Sequence, residues 1–166
     1  MKKITFILFA LIAGTTFAQD SDTGSADVYA EIVSPISISA GSALNFGRIY
    51  GTAGGGIVTV DANIGNTTSG ATTLFAPGGI VSSAVFTVVA APEYTYSIDF
   101  SSSDVVLKGT EVTNTMAIDF FSNKALNTNL GSGGDDLLYV GGNLTVASGQ
   151  APDNYQGTVK VTVAYE

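Results

Sequence analysis

Near the C-terminus the chain reads Tyr155-Gln-Gly-Thr-Val-Lys-Val-Thr-Val-Ala-Tyr165, and this stretch decides the fold class. Tyr155, Val159, Val161, Val163 and Tyr165 fall on one side of an extended chain, while Gln156, Thr158, Lys160, Thr162 and the following Glu166 fall on the other. An extended backbone throws successive side chains to opposite faces, so this period predicts a strand over residues 155–165 with one buried and one wet face.

Further back the same period recurs. Tyr94, Tyr96, Ile98 and Phe100 oppose Thr95, Ser97 and Asp99, and Met116, Ile118 and Phe120 oppose Thr115, Ala117 and Asp119. Residues 84–89 are apolar on both faces apart from Thr87, which predicts a central strand, and residues 57–61 make a shorter one. Residues 137–146 are interrupted by Gly141 and Gly142, which predicts a hairpin or a bulged strand, with Gly142 and Asn143 in a tight turn. Clusters of Gly, Ser, Asn and Asp over residues 51–56, 63–70, 101–104, 127–136 and 148–154, with a Pro-Gly-Gly at 77–79, punctuate the strands. No window combines helical spacing over three turns with a cap, so helix should be minor. The expected fold is all-β: an antiparallel β-sandwich of immunoglobulin-like type, with a closed barrel as the alternative.

The N-terminus is read as an address. Lys2 and Lys3 form a charged start, residues 4–14 an apolar run, and Thr16 and Ala18 are the small residues a signal peptidase reads, so cleavage is expected between Ala18 and Gln19. The apolar run is too short for a membrane anchor, which needs about 20 residues. A polar tail over residues 19–27 and one domain over 28–166 would remain, exported to the periplasm, the cell surface or the medium, with no membrane insertion after cleavage.

Without that leader, Arg48, Lys108, Lys124 and Lys160 stand singly against 14 acidic residues. A phosphate backbone needs clustered cations, so nucleic acid is not an expected partner. The chain has no cysteine and no histidine. Disulfides, thiol chemistry and the commonest general base and metal ligand are therefore missing.

The remaining candidates for chemistry are thin. Asp20, Asp22 and Glu31 partly follow a calcium-loop spacing, but Gly24 and Ser25 stand where a ligand and a glycine belong. Asp135 and Asp136, after Gly131-Ser-Gly-Gly134, put two carboxylates on a loop where a hard cation would bind loosely or water would simply solvate them. Residues 54–56 are glycines followed by Ile57 rather than by the Gly-Lys pair of a phosphate loop. No pair of carboxylates is singled out for acid–base work, Asp99 and Asp119 being on outward faces, so neither enzyme activity nor a cofactor is expected. Most of the seven tyrosines fall on inward faces, with Tyr29 and Tyr50 best placed for exposure.

Four segments together resemble the bacterial domain-of-unknown-function 4402 family: Leu44-Asn-Phe-Gly47 after an Ile-x-Ile strand, Val58-Thr-Val-Asp61, Tyr139-Val-Gly-Gly-Asn-Leu-Thr-Val146, and the C-terminal strand. That family implies an exported β-sandwich without an assigned activity. The chain also resembles pilin-type subunits of chaperone–usher fimbriae and the spore coat protein U group, through a terminal alternating strand with a penultimate tyrosine, here Tyr165. This second resemblance implies an incomplete sandwich that the N-terminal extension of the next subunit completes. Val28, Ala30 and Ile32 would then be a donated strand, or else the first strand of the same domain, and Val159, Val161, Val163 and Tyr165 would border the receiving groove. Asp153 stands where the fimbrial pattern has glycine, and the cysteine pair common in such pilins is missing. The expectation is a structural, pilin-like surface protein that pairs strands with itself or with other surface subunits, and the alternative is a surface module binding glycan or calcium.

Overall fold

Twelve strands run through the computed structural model, which describes residues 21–51, 54–63, 68–70, 78–100, 106–111 and 113–166. In chain order they are β1 (Ser37–Ser42), β2 (Asn45–Phe46), β3 (Gly56–Val60), β4 (Thr68–Gly70), β5 (Val81–Ser82), β6 (Ala84–Val89), β7 (Thr95–Asp99), β8 (Val106–Lys108), β9 (Thr115–Ser122), β10 (Asn129–Leu130), β11 (Asp135–Val146) and β12 (Thr162–Tyr165). Every pairing among them is antiparallel, and no helix occurs among the described residues. The all-β, antiparallel expectation therefore holds. The expected leader, the cleavage expected between Ala18 and Gln19, and Asp20 lie outside the described residues.

β11 organises the domain. Its Val140 faces Ala84 of β6 on one edge and Ser122 of β9 on the other, while Gly142 faces Val60 of β3 and Phe120 of β9. Hence β6 and β3 lie end to end along one edge and β9 runs along the opposite one. β1 extends the sheet beyond β6, β4 beyond β3 and β8 beyond β9, giving seven strands that curl into a half-barrel.

This arrangement corrects the hairpin expected at the paired glycines. β11 passes through Gly141 and Gly142 without turning, because these residues lie where the edge partner changes from β6 to β3. A Cβ on Gly141 would strike the carbonyl oxygen of Val60 and the backbone nitrogen of Ala62. Glycine here permits a close approach of two backbones rather than a turn. The expected loop over residues 127–136 is corrected too, since it contains β10 and the first two residues of β11.

A second, three-stranded sheet has β7 in the middle, β10 on one edge and β12 on the other, and β2 and β5 form a separate two-stranded ribbon. Two apolar clusters result. Tyr96 and Ile98 of β7 pack with Ala84 and Val88 of β6 and with Leu138 and Val140 of β11. Val58 and Val60 of β3, Met116 and Ile118 of β9, and Leu144 and Val146 of β11 form the other, with Phe46. The inward residues of β7 and β9 are those that alternation assigns, and Asp99 and Asp119 are exposed on the other faces.

The C-terminal strand is only partly as expected. Side chains alternate between half-buried and exposed from Tyr155 to Glu166, apart from an exposed Gly157, yet the ladder with β7 covers β12 alone. Upstream, Gln156 makes an isolated bridge to Lys108, and residues 157–161 belong to no strand.

Residues 1–32 and 33–166 are separate units. In the described part of the first, residues 21–32 form neither helix nor strand.

Candidate functional site: a groove beside the C-terminal segment

A strand that alternates its side chains without a full ladder leaves an edge to be accounted for. Between β1 and residues 159–162 lies a cavity of about 450 Å³, walled by Ile38 and Ala40 on one side and by Val159, Lys160, Val161 and Thr162 on the other, with Phe86 at its base. A larger cavity of about 770 Å³ shares Ala40, Phe86 and Val159 with it. The larger cavity is walled by residues 40–47 and 150–159, and Leu107, Met116, Ile118, Phe120, Leu144 and Val146 line it from the sheet side. Together they make one groove that runs from the first apolar cluster, against which Ile38, Phe86, Val159 and Val161 pack, to the second. Among the described residues β1 pairs only with β6, and no ladder bridges the groove.

The walls are held by polar contacts. Tyr155 donates its hydroxyl to the Ala151 carbonyl at 2.8 Å and accepts from Gln150 Nε2 at 2.7 Å, and Gln150 also reaches the Thr115 carbonyl at 3.2 Å. Asp153 accepts from Asn114 Nδ2 at 3.0 Å and from the Glu111 amide at 3.4 Å. Hydrogen bonds from Asn114, Thr110 and the Asn154 amide hold the Asp153 carboxyl well below the usual carboxylate range. Asp153 thus ties the C-terminal wall to the turn between β8 and β9, a task the glycine of the fimbrial pattern could not perform.

At the other end of the groove the Tyr165 hydroxyl accepts from the Ala91 amide at 2.7 Å and donates to the Ser34 carbonyl at 2.9 Å. Its ring packs on Tyr94 at 5.8 Å between centroids. The chain entering β1 and the chain ending in β12 are joined there, so the groove is pinned at that end. Of the residues expected to border it, all four pack against the first cluster, and Val159 and Val161 also line the cavity, whereas Val163 and Tyr165 do not. The expected donor residues Val28, Ala30 and Ile32 lie in the N-terminal unit, where Val28 is 92% and Ile32 97% exposed.

The carboxylate pair does not converge. Asp135 and Asp136 occupy successive positions of β11 and so point to opposite faces. Asp135 is exposed, whereas Asp136 pairs with Lys124 at 2.8 Å and accepts the Tyr96 hydroxyl at 3.0 Å. Burial, reinforced by the Asp136 carboxylate, pushes the Tyr96 phenol up to about 12. Among the described residues no three acidic side chains gather in a metal-binding cluster. Tyr50 is half exposed on the larger unit and Tyr29 is 87% exposed in the smaller one.

Sequence reading missed the base of the groove. Phe86 sits on a strand that is apolar on both faces, so period two cannot say which face it uses. Leu107 belongs to a three-residue strand too short to show a period.

The model of the family described as "Domain of unknown function (DUF4402)" matches residues 36–165, and the chain belongs to that family. No curated protein and no solved structure matches it.

Proposed function

We propose that this member of the DUF4402 family is an exported structural subunit that assembles by strand addition. It does so at the bacterial surface or in the periplasm, in the manner of a fimbrial or coat protein, and without catalysis. In this reading the domain is an immunoglobulin-like sandwich lacking one strand. The groove beside residues 157–161 receives the extended N-terminal segment of another copy, with Val28, Ala30 and Ile32 facing inward.

One observation carries the reading: a groove with an apolar base whose two long walls, β1 and the C-terminal segment, share no ladder. A strand laid there satisfies main-chain donors and acceptors along both walls and places every second side chain on Phe86, Phe120 and Leu144. Burying one Val or Ile side chain fully contributes about 1.5–3 kcal/mol. Three apolar positions and a ladder together make an attachment that releases slowly. The polar alternatives lose ground, since Asp135 and Asp136 diverge and no acidic cluster is present among the described residues.

The test is assembly of the purified exported chain, followed as an SDS-resistant ladder that collapses on heating. The full chain should give the ladder, and a variant lacking residues 21–32 should melt as a folded domain but remain monomeric. A full-length protein that stays monomeric at high concentration defeats the proposal. A calcium-dependent rise in melting temperature with no ladder would favour the ligand-binding alternative.

A further inference from the structure

We infer that the register of the entering strand is set by charge, through Asp27 and Glu31 of one copy and Lys160 and Lys108 of the next. The inference rests on the strand-addition reading above and adds to it the side chains that select one alignment.

Alignment needs a selector because Val28, Ala30 and Ile32 differ little in shape, and a shift by two residues would still present apolar side chains to the groove. The outward positions differ more. When Val28, Ala30 and Ile32 face inward, Asp27, Tyr29 and Glu31 face outward. On the receiving wall Val159 and Val161 are half-buried against the first cluster, while Lys160, which also borders the cavity, is exposed between them. Four residues upstream, Gln156 has the same outward parity and is bridged to Lys108, which is exposed beside it. Directly opposite residues on paired strands share a face, so Lys108 and Lys160 stand on the same outer surface.

The spacings agree. Asp27 and Glu31 are four residues apart, as are Gln156 and Lys160, and four extended residues span roughly 13 Å. With either strand direction, one carboxylate falls opposite Lys160 and the other comes level with Lys108. A two-residue slip removes both pairings at once.

The choice of cations narrows further. The larger unit carries four basic residues. Lys124 is already paired with Asp136, and no ion pair to Lys108 or Lys160 occurs among the described residues. In a chain with formal net charge −8, two exposed lysines beside the groove are an uncommon local attraction for an acidic segment.

Salt alone does not decide the matter, because it screens both the attraction at the groove and the repulsion between two acidic copies. Charge reversal does. Lys108→Glu with Lys160→Glu in the full-length exported chain should slow formation of the SDS-resistant ladder by about tenfold, and the pair Asp27→Lys with Glu31→Lys should do the same. All four substitutions together should restore the rate to within about twofold of the unsubstituted chain. Melting temperatures within a degree or two of the unsubstituted chain establish that the fold is intact, as expected for exposed positions.

A Lys108→Glu, Lys160→Glu chain that assembles at the normal rate, or a four-substitution variant slower than either pair alone, overturns the charge-set register while leaving strand addition standing. Failure of the unsubstituted chain to assemble defeats the underlying reading and this inference together.

Discussion

The two ends of β11 are built from similar side chains and closed in different ways. Around Leu138 and Val140, a hydrogen-bonded sheet of β10, β7 and β12 covers the apolar face. Around Leu144 and Val146, the cover is the C-terminal wall of residues 150–159, and a groove of about 770 Å³ remains between that wall and β1. Both Leu138 and Leu144 are buried, at 0% and 2% exposure. Removing side chains from water is thus possible with or without a main-chain ladder above them. The ladder decides whether the layer is complete or still able to accept a strand.

The largest expected effect comes from truncating one leucine at each end. Leu138→Ala should cost about 3–4 kcal/mol in a urea melt, because the closed end leaves a cavity that cannot collapse. Leu144→Ala should cost about 1 kcal/mol less, since its side chain already borders open space and gives up fewer contacts. Equal losses would show the two ends to be packed alike. The contrast sharpens in assembly, where Leu144→Ala should weaken the ladder and Leu138→Ala should not at a temperature where both remain folded.

A smaller effect singles out the closed end. The unfolded chain releases the Tyr96 proton near pH 10, whereas the folded chain keeps it until about pH 12. The contribution is therefore complete below pH 10 and lost as pH rises from 10 to about 12, by about 2–3 kcal/mol in all. A Tyr96→Phe chain should lack that part of the alkaline decline, and parallel melts of the two proteins across this range check it.

The smallest effect belongs to the open end and has the opposite pH sense. Asp153 has a lowered carboxyl pKa in the folded chain, so its stabilisation is present above about pH 4 and fades as acid protonates it. Asp153→Asn should lower the melting temperature slightly at neutral pH. The difference should shrink steadily below pH 4, and one that persists unchanged in acid would remove Asp153 as a tie for the groove wall.

Alternation made the faces of β7 and β9 legible because each strand has partners that bury one side. It also revealed the faces of residues 155–165, but not that only Thr162–Tyr165 would be paired. Side-chain period reports which face is wet, whereas a ladder depends on a partner brought from elsewhere in the chain. Gly141 and Gly142 misled for a related reason. Gly-Gly-Asn is turn chemistry when read locally, and here two strands meeting end to end outweigh it. β2, β5, β8 and β10, at two or three residues each, are too short to carry a period at all. The groove was therefore legible only as one wall, through the Val159–Val161 pattern, while the β1 wall and the apolar base were not.

The central position of β11 also sets an order of events for a chain made from its N-terminus. Val58 waits for Leu144, Ala84 for Val140 and Ile118 for Leu144, so each of these pairings is completed only after most of the polypeptide has been synthesised. Contacts this distant in sequence close slowly, on the scale of milliseconds to seconds. Until residue 146 has emerged, neither apolar cluster has its common strand, and neither core can be completed.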